Sequence, residues 1–97
     1  LYCEVFIEDK KQLNGYGKNK IKSLLFQKGV SKSVFEDFLD EFEYEEEFDN
    51  ALKMGIKKLN LLSNEEDIFK KKQKLINYLT YRGFSFDVIN DVLREIL

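Results

Sequence analysis

Lysines and tyrosines are the residues of this chain with chemistry to offer. Tyr16, Lys18, Lys20 and Lys28 fall in one stretch, and Lys70, Lys71, Lys72, Lys74, Tyr78, Tyr81 and Arg82 in another. On a helix, Lys70 and Lys74 share a face with Tyr81, with Lys71 and Tyr78 beside it. Ammonium groups interleaved with phenol rings suit phosphates or the acidic surface of another protein. A solvated helix face with half-packed tyrosines is the plainer reading of the same pattern. Lys72 turns towards Ile68, Leu75 and Leu79 and is expected to snorkel out along them.

Other chemistries find no support. The chain has no histidine, which removes the commonest general base and metal ligand. Its one cysteine, Cys3, has no activating partner for thiolate catalysis. Gly15-Tyr16-Gly17 follows no strand and lacks phosphate-loop spacing, so it reads as a turn. The run Glu43 to Asp49 lacks the alternating oxygen ligands and central glycine of a calcium loop. It reads instead as a helix start, where acids meet the positive end of the dipole. No catalytic residue, metal, cofactor or small-molecule substrate is expected, and the chain is not expected to be an enzyme.

The elements that must carry these residues are helical. Proline is absent from all 97 residues, so nothing interrupts a helix from within. Residues 2–13 read as a helix ended by Asn14-Gly15, and a second runs from Lys18 to Lys28. Residues 44–60 form a long helix with Phe48, Ala51, Leu52, Ile56 and Leu59 on one face. Ser63 to Glu66 has the capping-box spacing and is expected to open a helix running to Arg82. At eighteen or so residues that helix is roughly 27 Å long. The last helix covers residues 86–96. Leu1, Val5, Phe6 and Ile7 look like part of an element already under way, so the chain is expected to be a piece of a longer one. No apolar run approaches the roughly 20 residues that span a bilayer. A single cysteine favours a reducing, cytoplasmic setting.

The helices repeat. Residues 21–42 lie over residues 75–96 without a gap, an offset of 54, with seven identities. These are Leu25/Leu79, Gly29/Gly83, Ser31/Ser85, Val34/Val88, Asp37/Asp91, Leu39/Leu93 and Glu41/Glu95. Gly29 and Gly83 read as left-handed C-caps, and Ser31 and Ser85 as N-caps of the next helix. One apolar stripe follows each corner: Val34, Phe35, Phe38, Leu39 and Phe42, then Val88, Ile89, Val92, Leu93 and Ile96. Basic positions match too, Lys18 with Lys72, Lys20 with Lys74 and Lys28 with Arg82. Lys28 and Arg82 in last turns suit the helix dipole; the other pairs point to a binding role. The fold class is all-α, an elongated array of two three-helix repeats at residues 1–43 and 44–97. Neither repeat is expected to bury its stripe alone, so the two must pack together.

The stretch GYGKNKIKSLLFQKGVSKSVFEDFL resembles the middle repeat of the RecX regulatory proteins. The resemblance rests on Gly15, Tyr16, Gly17 and Ile21, then the basic-glycine-apolar corner Lys28, Gly29 and Val30. RGFSFDVINDVL at residues 82–93 is similar to that family's final repeat. It implies a curved array of three-helix repeats that binds the RecA recombinase filament on single-stranded DNA. It further implies restraint of recombination, DNA repair and the SOS response. Tyr16, Lys18, Lys20, Lys28, Lys70, Lys74 and Arg82 are the candidate partner contacts, with at most a weak nucleic-acid contact and no membrane.

Two readings compete, a free-standing helical nucleic-acid binder and a generic protein-interaction scaffold, and charge bears on the first. Lys10 to Phe35 holds seven lysines and no acid; Glu36 to Asp49 holds nine acids and no base. Such poles orient a charged partner. The third helix of each repeat carries Glu36, Asp37, Asp40 and Glu41, or Asp87, Asp91 and Glu95, on its open face. Those acids would repel a DNA groove, where a base-reading helix needs arginine, asparagine or glutamine.

Overall fold

The computed structural model describes residues 2–97, and Leu1 lies outside them. Six helices follow one another: α1 (Tyr2–Gln12), α2 (Lys18–Gln27), α3 (Lys32–Asp40), α4 (Tyr44–Leu61), α5 (Ile68–Tyr81) and α6 (Phe86–Ile96). No strand occurs among the described residues. The body measures 46 × 23 × 20 Å, so the chain is elongated, with three helices towards each end.

Glycines set both corners. Gly29 (φ +80°) and Gly83 (φ +94°) take the left-handed conformation that ends α2 and α5. Ser85 then caps α6, its hydroxyl accepting from the Val88 N–H at 3.4 Å. Ser31 stands at the same position before α3, but its hydroxyl is engaged with Ser33 at 3.1 Å and makes no cap bond.

The expected start of α5 is corrected. Ser63 does not open it; residues 62–64 are turn, and Asp67 is the N-cap, accepting from the Phe69 N–H at 2.9 Å. A carboxylate at the helix's own threshold outcompetes a serine four residues earlier, and α5 has 14 residues, about 21 Å. The acid run does open α4: Glu43 is the N-cap, Glu45, Glu46 and Glu47 fill the first turn, and the Glu46 carboxylate accepts from the Glu43 N–H at 3.4 Å.

Each repeat closes its own core. Cys3, Ile7, Ile21, Leu25, Phe35, Leu39 and Phe42 form one buried cluster. Ala51, Leu75, Leu79, Phe84, Val88, Ile89, Val92 and Leu93 form the other. The expectation that neither unit buries its stripe alone is therefore corrected. Two stripe residues also fall outside. Val34 is 53% exposed although its counterpart Val88 is buried. Ile56 is 44% exposed, and the adjacent Gly55 takes the contact: a Cβ there would lie 3.2 Å from Val92. A glycine lets α4 and α6 approach closely where a side chain would hold them apart.

Candidate protein-interaction surface

The site is built on the seam between the two units, which is polar. A helix leaves its first N–H groups without partners in its own backbone. At the start of α2 these are satisfied from the other unit. The Gly17 N–H donates to the Arg82 carbonyl at 3.0 Å, and the Asn19 N–H to the Gly83 carbonyl at 2.9 Å. Between them, the Lys18 N–H donates to Glu47 Oε2 at 2.9 Å. The chains meet so closely that a Cβ on Gly17 would lie 2.5 Å from the Gly83 oxygen, and one on Gly83 would lie 2.2 Å from the Lys20 nitrogen. Glycine at both positions is a packing requirement.

α4 braces this contact with one face. Glu46 pairs with Lys11 at 2.9 Å, and Asn50 Nδ2 donates to the carbonyls of Lys11 at 3.0 Å and Tyr16 at 3.5 Å. Glu47 is 5% exposed. Burial pushes its carboxyl above the usual carboxylate range, against the opposing pull of the Lys18 N–H. Burial also works to lower the Lys11 pKa, but its hydrogen bonds to Glu46 and Glu8 prevail and raise it. The Lys11 hydrogen bond holds Glu46 below the usual range.

Around the seam, cations stack on rings. The Lys20 ammonium sits 5.0 Å from the Tyr81 ring centre and 5.8 Å from that of Tyr16. The Arg82 guanidinium lies 5.1 Å from Tyr16 and 5.7 Å from Tyr78, and Lys58 lies 5.4 Å from Tyr78. Distances within about 6 Å are those of cation–π attraction. Arg82 also donates to the Asn14 carbonyl, which ties it to the opposite unit. Among the described residues, Lys20, Lys58 and Arg82 have no carboxylate partner, so the cluster keeps its positive charge. Tyr81 is 73% exposed at its edge, beside a notch of about 240 Å³ lined by Asn19, Lys20, Ser23 and Thr80.

Of the seven candidate contacts, Tyr16, Lys20 and Arg82 come together here, and Lys18 adjoins them through its backbone. Lys28 stacks elsewhere, 5.5 Å from the Phe6 ring, with Lys10 at 5.4 Å from the same ring, and the three line one cleft with Tyr16. Lys70 and Lys74, on α5, make no cation–π contact with the cluster's rings among the described residues. Lys74 pairs with Glu65 at 3.0 Å, and that contact holds the Glu65 carboxyl below its usual range. Lys10, Lys58, Glu46, Glu47 and Asn50 were not singled out from the sequence. Glu47 carried no distinguishing signal inside an acid run that α4 needs for its own first turn.

Comparison with known proteins places both halves. Residues 1–39 match the model for the second three-helix domain of RecX, and residues 45–93 that for the third. The chain is 42% identical over 95 residues to a regulatory protein RecX of Clostridium botulinum (strain Eklund 17B / Type B), covering 97% of this chain and 44% of that one. It is 38% identical over 96 residues to a regulatory protein RecX of Clostridium perfringens (strain 13 / Type A), covering 98% and 44%. The chain thus spans less than half the length of these relatives. The crystal structure of RecX from Lactobacillus salivarius superposes with a TM-score of 0.90 over 98% of this chain and 61% of that one, at 24% identity.

Proposed function

The chain belongs to the RecX family of regulatory proteins, and on that premise we propose that it binds the RecA filament on single-stranded DNA and restrains recombination, DNA repair and the SOS response. The observation that carries this reading is the seam. Tyr16 and Lys20 from one unit and Tyr81 and Arg82 from the other form a single cationic, aromatic surface with no acid among them. Arginine and tyrosine are the side chains that dominate protein–protein contacts. Lys18 flanks this centre; Lys28, Lys70 and Lys74 extend the positive field along the elongated body and steer an acidic partner.

The chain acts by occupying its partner and not by catalysis, and it does so in the cytoplasm. Among the described residues no helix is long and apolar enough to cross a membrane. We take residues 1–43 and 44–97 as the two functional repeats, each with its own core. Nucleic acid is at most a weak contact: Glu36, Asp37 and Asp40 on α3 and Glu41 at its C-cap are exposed and would face any groove that α3 approached.

Co-sedimentation with RecA filaments at near-physiological salt tests the proposal. Saturable retention in the filament pellet is expected. Absence of retention, together with tight, salt-sensitive binding to naked duplex, overturns it in favour of a nucleic-acid module.

A further inference from the structure

A polar set on α5 recurs on α2 at the 54-residue offset, but the acid that serves it on α5 has no counterpart. On α5 the Lys74 ammonium meets the Glu65 carboxylate at 3.0 Å, and Gln73 Nε2 donates to Asn77 Oδ1 at 2.9 Å. The counterparts on α2 are Lys20, Asn19 and Ser23. Fifty-four residues before Glu65 the chain carries Lys11, a cation already held by Glu46 and Glu8. Among the described residues Lys20 has no carboxylate partner. With Asn19 and Ser23 it lines an open notch of about 240 Å³, closed by Thr80, Tyr81 and Gly83. The walls bring one ammonium, one amide, two aliphatic hydroxyls and a phenol, and no acid. We infer that this notch receives the carboxylate of an aspartate or glutamate on an acidic protein surface, as Lys74 receives that of Glu65.

Lys20 is prepared for a partner from outside the chain. Its ammonium is held 5.0 Å from the Tyr81 ring centre and 5.8 Å from that of Tyr16, so it surrenders little freedom on binding. The rings shield it partly from water, which strengthens its attraction for an opposite charge. The Ser23 and Thr80 hydroxyls and the Asn19 amide offer donors beside it. Hydrogen bonds to an ionised acceptor are the strong ones. A phosphate would accept them too, but a nucleic-acid strand presents phosphates in series and calls for a track of cations. The notch holds one cation. This inference rests on the reading of the seam as a partner surface and names the chemistry that its centre takes up. The hydroxyls, which carry no charge, separate a built notch from a general positive field.

The test uses the whole chain, ¹⁵N-labelled, with an end-blocked oligoglutamate peptide as the probe. Titration should shift the amides of Asn19, Lys20, Ser23, Thr80 and Tyr81 first, with affinity of about millimolar order, and leave Lys74 little moved. Ser23→Ala combined with Thr80→Val, at two exposed positions, should weaken the peptide at least about fivefold with net charge and melting temperature unchanged. Glu65→Gln releases Lys74 and should add a second set of shifts around it, because that site then lacks its own acid. On RecA filaments the double variant should lose retention to a similar degree. Equal retention of parent and double variant overturns the notch and leaves the filament reading standing. Peptide shifts at the notch without filament retention uphold the notch and remove the filament reading. Shifts spread evenly over every lysine overturn the inference, as does an oligothymidylate of equal length that moves the notch amides at lower concentration than the peptide.

Discussion

Replacing Glu47 separates two roles that one carboxylate can play at the seam, acceptor and charge. Its Oε2 accepts from the Lys18 N–H, a group with no partner inside α2. Glu47→Leu removes the acceptor and leaves that N–H stranded, which costs about 1–3 kcal/mol. For a chain of this size each kcal/mol lowers the melting temperature by roughly 4–8 °C. Glu47→Gln keeps an oxygen acceptor and removes the buried charge. Because burial raises the Glu47 pKa, its favourable contribution is full below the ordinary carboxylate value and is lost as pH rises through the raised value. Glu47→Gln should therefore match the parent in acid, and equal or exceed it at neutral pH. Thermal melts from pH 4 to 8 decide the matter. A Gln variant as unstable as the Leu variant would show instead that charge, and not hydrogen bonding, holds the units together.

Other outcomes follow from the same contacts. Gly83→Ala should destabilise far more than Gly29→Ala in urea unfolding: both face the left-handed penalty of about 1–2 kcal/mol, but only the former drives a Cβ into Lys20. Lys11→Met should cost about 1 kcal/mol at neutral pH. The Lys11 share is lost as pH rises through its raised pKa, and the Glu46 share as pH falls through its lowered one, so stability curves of parent and variant should converge at both extremes. Phe35→Ala should cost about 3–5 kcal/mol, while Val34→Ala one residue earlier should be nearly silent, since Val34 is exposed.

Periodicity made the helices, the corners and the repeat readable, because apolar spacing and left-handed glycines leave marks in sequence. Phe35, Leu39, Val88 and Leu93 fell where the 3.6-residue pattern put them, all buried. Tertiary cover was not readable: Val34 and Val88 are the same residue at the same repeat position, yet the first is exposed and the second buried. The start of α5 slipped because Ser63 and Asp67 are both competent caps and local sequence does not rank them. At the site, the basic residues were legible as types. Their grouping was not, since Lys20 meets Tyr81 across 61 residues of chain only once Gly17 and Gly83 have brought the units together. Glu47 and Asn50, the braces of that meeting, carried no local signal at all.

The proposed contact with the filament is made by the seam surface. Co-sedimentation of Lys20→Glu beside the parent chain, at near-physiological salt on RecA–single-stranded DNA filaments, tests it most directly. The variant should fold with the parent's melting temperature to within a few degrees, while its binding weakens by about tenfold or more, the worth of 1.4 kcal/mol. Undiminished binding by a folded Lys20→Glu chain would contradict it.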